Sequence, residues 1–311
     1  MLSDVRVLEL GVFLPVPYAA RWLAYLGAEV IKVEPPGGDP MRALSSAEGY
    51  FTQINQGKTL RELDLRDPDD LATCLGLAAT CDVVIEGFRP GVVERLGVGY
   101  DAVRTLRPDI IYCSISGFDR DGPAAMKAGH DINYLALSGA LGRAPRLPAL
   151  PIVDFTSSIA AVVAVASALF ARERGNGGRH LDVPMMRVAH ALAAPGIRDD
   201  SIATSILAQE TPCYGLFETS DAKLLAFGAI EPKFWKAFCD AAGAPELIDR
   251  QYSPAAKPAM EQLVRARTRD DWAARLAEVD CCVEPVLLPG EVTAAFDPLR
   301  HEMEARHESG L

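Results

Sequence analysis

A chain of 311 residues, 49% hydrophobic and 23% charged, is long enough for two cores and shows no bias toward disorder. Its net charge of −11 argues against general binding to nucleic acid or to an anionic membrane surface. The seven cysteines have no metal spacing and cannot all pair within one chain, so buried, reduced thiols of a cytoplasmic protein are expected.

Val5–Leu10 reads as a strand, with no secretory signal pattern around it. Tyr18–Leu26 carries Ala19, Leu23 and Leu26 on one helical face, and Gly27 closes it. Ala28–Glu34 is a second strand of continuous apolar character, which completes a βαβ unit. No G-x-G-x-x-G follows the first strand, so a dinucleotide site is disfavoured although the architecture is Rossmann-like. Asn55–Lys58 is a tight turn, and Pro68 opens a helix through Leu71, Leu75 and Ala78 with Asp69 and Asp70 at its positive end. Asp82–Glu86 and Pro108–Ser116 are further buried strands. This alternation predicts an open, mostly parallel α/β sheet whose ligands belong beyond the carboxyl ends of the strands. G-F-R-P-G at 87–91 and S-G-F-D-R-D-G-P at 116–123 stand there.

Next comes K-A-G-H-D-I-N-Y at 127–134, then Asp154 before a helix predicted over Phe155–Arg174. The apolar run inside that helix, Ile159–Phe170, is too short and Ala-rich for a membrane span. His180–Val183 reads as a strand and Met185–Ala194 as a helix. The large α/β domain is therefore placed at 1–195 and a linker at 196–212. A small α+β domain follows at 213–290, with a tail lacking any core pattern at 291–311. The small domain has a hairpin of Gly215–Thr219 and Lys223–Gly228, a helix opened by Glu231 and Pro232, another through Trp272 and Leu276, and a last strand at Cys282–Leu288.

His130 and Asp154 are two proton carriers of different type, each at the mouth of a helix. Moving a proton across a carbon requires a base on one face and an acid on the other, with donors for the developing enolate oxygen. Backbone N–H groups near Asp131 or Asp154 are the expected donors, and a helix N-terminus would hold Asp154 ionised. Each residue also has a plainer reading. His130 could buttress a turn, Asp154 could be an N-cap, and Glu231 a first-turn acid. Lys58, Arg89 and Arg95 could be solvated cations, and Leu63 and Leu65 strand core.

Six segments occur in the order of one family: L-G-A-E-V-I-K-V-E at 26–34, V-I-E-G-F-R-P-G-V-V-E-R-L-G at 84–97, A-G-H-D-I-N-Y at 128–134, the Asp154 segment, G-A-I-E-P-K-F-W at 228–235 and D-C-C-V-E-P-V-L at 280–287. In these the chain resembles the family III CoA-transferase (CaiB/BaiF) superfamily and, within it, the 2-methylacyl-CoA racemases. The resemblance implies an acyl-CoA thioester substrate, with coenzyme A as part of the substrate and no separate cofactor or metal. Transferases of the family use the Asp matching Asp131 as a nucleophile. Racemases pair the His matching His130 with the Asp matching Asp154, supported by the Glu matching Glu231. The resemblance further implies Lys58, Arg89 and Arg95 near the CoA phosphates or ribose and Leu63 and Leu65 near the adenine. Gly129, Asn133 and Tyr134 belong to the binding motif.

It also implies an interlocked homodimer, without nucleic acid or membrane. Racemisation of a 2-methylacyl-CoA is thus the leading expectation, ahead of CoA transfer through Asp131 and of a non-catalytic acyl-CoA-binding relative. Three departures stand out. Gln56 replaces a family arginine, and Thr156, Ser157 and Ser158 replace glycines after Asp154, which would narrow the acyl pocket or add polar contacts to it. The segment with which family members return to the large domain is largely missing, so a looser dimer is expected.

Overall fold

The computed structural model describes residues 1–46, 49–143, 149–197 and 201–292. The expected tail lies outside the described residues from 293 onward. Contacts divide the chain into a first unit, Met1–Pro195, and a second that starts at Gly196.

The first unit is built on six strands: β1 (Arg6–Leu10), β2 (Glu29–Glu34), β3 (Thr59–Glu62), β4 (Val83–Glu86), β5 (Ile111–Ser116) and β6 (Arg179–Pro184). They pair in the order β3-β2-β1-β4-β5-β6, every neighbour parallel. Because successive strand residues face opposite sides, β1 sends Val7 to one core and Leu8 and Leu10 to the other. The first core lies under helices Pro15–Tyr25 and Ile152–Ala171; the second lies under Pro68–Ala79 and Tyr100–Leu106. Strands covered on both faces read as unbroken apolar runs, which is why β1, β2, β4 and β5 were readable in the sequence. The order reverses between β1 and β4, and the crevice beyond their carboxyl ends is the expected ligand position in such sheets. Gly11, just past β1, lets the backbone run close to the next helix, since a Cβ there would sit 2.4 Å from Val16.

The long helix begins at Ile152, three residues earlier than the sequence suggested, and passes through a π turn at Arg172–Asn176. By length and composition it would suffice to cross a membrane, unlike the shorter apolar run within it. Its Val153, Ala161, Val165, Ala168 and Leu169 are buried within the first unit.

The second unit contains an antiparallel sheet of β7 (Tyr214–Glu218), β8 (Leu224–Gly228) and β9 (Val283–Pro285). Its core gathers Phe217, Phe227, Trp235, Phe238 and Trp272. The two indole N–H groups are satisfied by backbone carbonyls, Trp235 by Leu247 and Trp272 by Val264, each at 2.9 Å. The stretch expected as a linker includes a helix at Ile202–Leu207, followed by buried Thr211 and Cys213. All seven cysteines are free and six are buried; Cys282 is exposed, against the expectation of uniformly buried thiols.

Candidate active site

Helix Asp131–Leu137 starts just beyond His130, whose extended backbone acts as the cap residue. The Asn133 side chain accepts from the His130 N–H at 3.0 Å, and the Asn133 N–H donates back to the His130 carbonyl at 2.8 Å. Tyr134 is 1% exposed, and its hydroxyl donates to the Gly129 carbonyl at 3.0 Å. Burial pushes this phenol up to about 12, with Asp154 adding to the rise and Arg89 opposing it. Gly117 leaves room for that hydroxyl, because a Cβ there would lie 2.5 Å from it. Asn133 and Tyr134 therefore brace the loop that carries His130. Tyr134 does not line the cavity that His130 and Asp154 share.

Asp154 stands in the first turn of Ile152–Ala171 but does not cap it. The cap comes from Asp131, 22 to 23 residues earlier, whose Oδ1 accepts from the Val153 N–H at 2.5 Å and the Asp154 N–H at 3.1 Å. This overturns both sequence readings of Asp154, as an N-cap and as a carboxylate held ionised by the helix. The N–H groups that would have favoured its charge already face another carboxylate. Burial, with the Asp131 charge adding to it, pushes the Asp154 carboxyl up to about 7. The same two N–H groups are thereby removed from the expected oxyanion donors. The first-turn N–H groups of Asp131 and Ile132 remain.

His130 and Asp154 line one cavity of about 170 Å³, together with Val12, Phe13, Gly87, Gly129 and Met185. His130 is exposed and Asp154 half-buried, so the cavity has one open and one sheltered proton carrier. A second, apolar cavity of about 190 Å³ is lined by Leu10, Val33, Pro35, Leu63, Leu65 and Phe88. Val12 lines both cavities. Leu63 and Leu65 lie just past β3, so they form cavity wall rather than strand core.

Lys58 departs from its expected role. Its side chain is fully buried, and Nζ donates to Glu9 Oε2 (2.7 Å), the Pro17 carbonyl (2.8 Å) and Asn55 Oδ1 (2.9 Å). Burial pulls this ammonium below the usual lysine value. All three partners are acceptors, however, and only the charged form has three donors to satisfy them. No donor remains for a phosphate. Arg89 and Arg95 are exposed beside the loop after β4, and Gln56 is exposed. Glu231 is exposed at the start of helix Pro232–Ala242 in the second unit. None of Thr156, Ser157 and Ser158 lines the cavity. Ser158 donates instead to a backbone carbonyl, Pro15 at 2.6 Å or Asp154 at 2.7 Å, so these side chains do not narrow this cavity. Among the described residues no group of three or more His, Cys, Asp or Glu is placed to hold a metal.

Phe13 and Met185 were missed as cavity residues. Position alone, just past the carboxyl ends of β1 and β6, could have flagged them.

The model of CoA-transferase family III matches residues 2–310, and the chain belongs to that family. It is similar to the alpha-methylacyl-CoA racemase of Homo sapiens, 30% identical over 94% of this chain and 79% of that one. It is comparably similar to the acetyl-CoA:oxalate CoA-transferase of Acetobacter aceti, 32% identical over 92% of this chain and 80% of the other. Among solved structures, a CAIB/BAIF family protein from Brucella suis superposes with a TM-score of 0.79 at 27% identity, covering 98% of this chain and 87% of that one.

Proposed function

We propose that the protein racemises 2-methylacyl-CoA thioesters by 1,1-proton transfer at the α-carbon. The observation that carries this reading is one cavity lined by both an imidazole and a carboxyl, the latter pushed up to about 7 by burial beside Asp131. For one enantiomer, neutral His130 takes the α-proton and the C–H electron pair moves into the thioester as an enolate. Protonated Asp154 then donates to the opposite face, leaving imidazolium and carboxylate. For the other enantiomer the roles reverse. A carboxyl titrating near 7 populates both its forms at neutral pH, as a group that is alternately base and acid requires. The N–H groups of Asp131 and Ile132 are the proposed donors to the enolate oxygen. The apolar cavity with Leu63 and Leu65 would take the adenine, and exposed Arg89 and Arg95 the phosphates. Glu231 is proposed as an accessory carboxylate.

A homodimer is part of the proposal. The long helix presents Ile159, Val163 and Phe170 to solvent at 40%, 60% and 61% exposure. A second copy would cover such a stripe.

CoA transfer through Asp131 is the second reading, favoured by the comparable similarity to a transferase. Against it, Asp131 Oδ1 already accepts two N–H bonds, which ties the would-be nucleophile to a capping role. The test is NMR of a single enantiomer of a 2-methylacyl-CoA incubated with the protein in deuterated water. Deuterium entering the α-position with epimerisation is the expected result. CoA passing to an added carboxylic acid without exchange, abolished by Asp131→Ala, would replace racemisation with transfer. Neither reaction across a range of acyl chains would leave the binding-only relative.

A further inference from the structure

Four charged side chains lie together and fully buried, and the proton transfer uses none of them: Glu9, Lys32, Asp39 and Lys58. Lys32 Nζ stands 2.9 Å from Glu9 Oε1, 3.0 Å from Asp39 Oδ2 and 2.5 Å from the Gly11 carbonyl. Burial opposes its charge, yet Glu9 and Asp39 outweigh that and raise it above the usual lysine value. Asp39 Oδ1 in turn accepts from the Phe13 N–H at 3.1 Å and the Met41 N–H at 2.9 Å. Lys58 secures the other oxygen of Glu9. The cluster therefore grips the segment Gly11–Phe13 from both ends, through the Gly11 carbonyl and the Phe13 N–H.

That segment is the wall between the two cavities. Gly11 lines the apolar one, Phe13 lines the one with His130 and Asp154, and Val12 lines both. Phe13 has a φ of 63°, in the left-handed region that side chains with a β-carbon rarely adopt. Such a conformation persists only where its surroundings over-determine it, and the paired buried charges are those surroundings. Glycine would take this φ without strain. What a phenylalanine adds is an apolar ring in the cavity wall.

We propose that Phe13 sets where the acyl branch lies in the cavity, and that Lys32 and Asp39 are positioning residues that hold it there. This rests on reading the cavity as an acyl-CoA site. The ring would contact the acyl portion and leave the nucleotide portion alone, so the consequence is selectivity for an acylated ligand over free CoA.

The test is calorimetry of wild type, Phe13→Ala, Phe13→Gly and Asp39→Asn with two probes, a 2-methylacyl-CoA and free CoA. Both Phe13 variants are expected to weaken the acyl-CoA roughly tenfold, the loss of an apolar contact, while free CoA stays within about twofold. Asp39→Asn keeps an oxygen for the Phe13 N–H but loses the charge facing Lys32, and should fall between. Phe13→Gly should melt above Phe13→Ala, because glycine relieves the left-handed φ. Parallel weakening of both probes, or none for the acyl-CoA, overturns the proposal, as does a Phe13→Gly that melts no higher than Phe13→Ala. Wild type that binds neither probe overturns the acyl-CoA reading itself and this proposal with it.

Discussion

Two places in the first unit take carboxylates out of water, and they do so in opposite ways. Glu9 and Asp39 meet Lys32 and Lys58, so each buried negative charge has a cation at 2.7 to 3.0 Å. Among the described residues no cation is paired with Asp154, which shares its surroundings with a second carboxylate, Asp131. Pairing surrounds the first set with opposite charge and hydrogen bonds and makes it architecture. Burial beside a like charge leaves the second with a proton that moves near neutral pH. The contrast separates the buried acids paired with cations from the one proposed to carry a proton.

The contrast can be broken from either side. The largest effect expected is on chemistry. His130→Ala or Asp154→Ala should each slow conversion of one enantiomer into the other about a thousandfold, measured by NMR at saturating substrate. Next is Lys58→Met, which strips one cation from Glu9. It should cost about 3 kcal/mol in chemical denaturation, because a buried charge left short of partners is expensive. A loss near zero would mean that the buried pairing is not what holds this region.

Asp154→Asn tests the other side through pH. A carboxyl raised to about 7 in the folded chain stabilises the fold below its unfolded value near 4. That contribution is lost as pH rises through 7. The asparagine variant should therefore be more stable than wild type at pH 8, by about 2 kcal/mol after allowance for solvent screening, and equal to it at pH 4. Smallest is Asp131→Ala. Losing the cap on Ile152–Ala171 should cost about 1 kcal/mol. Removing the like charge should also move the limb of the exchange pH profile assigned to Asp154 toward lower pH.

The sheet was legible in its strands buried on both faces and in half-covered β6, and illegible in fully exposed β3. β3 was missed because T-L-R-E sits at the sheet edge with all four residues exposed, so no apolar pattern marks it. His130 and Asp154 were found as residues, but their environments were not. The cap on the long helix comes from a side chain more than twenty positions away, and no local rule for caps reaches that far. Lys58, in the turn N-Q-G-K, looked like a surface cation because its burial depends on Glu9, 49 residues earlier. Sequence spacing singled out two residues, His130 and Asp154, that line one cavity. Their ionisation depends on tertiary neighbours that spacing does not encode.

The most direct measurement is a titration of the Asp154 carboxyl carbon by NMR in aspartate-labelled protein, with the resonance assigned through Asp154→Asn. A midpoint near 7, falling in Asp131→Ala, is the result this account requires. A midpoint near 4 that does not respond to Asp131 would contradict it, and would leave the cavity with an ordinary carboxylate in place of its second acid–base group.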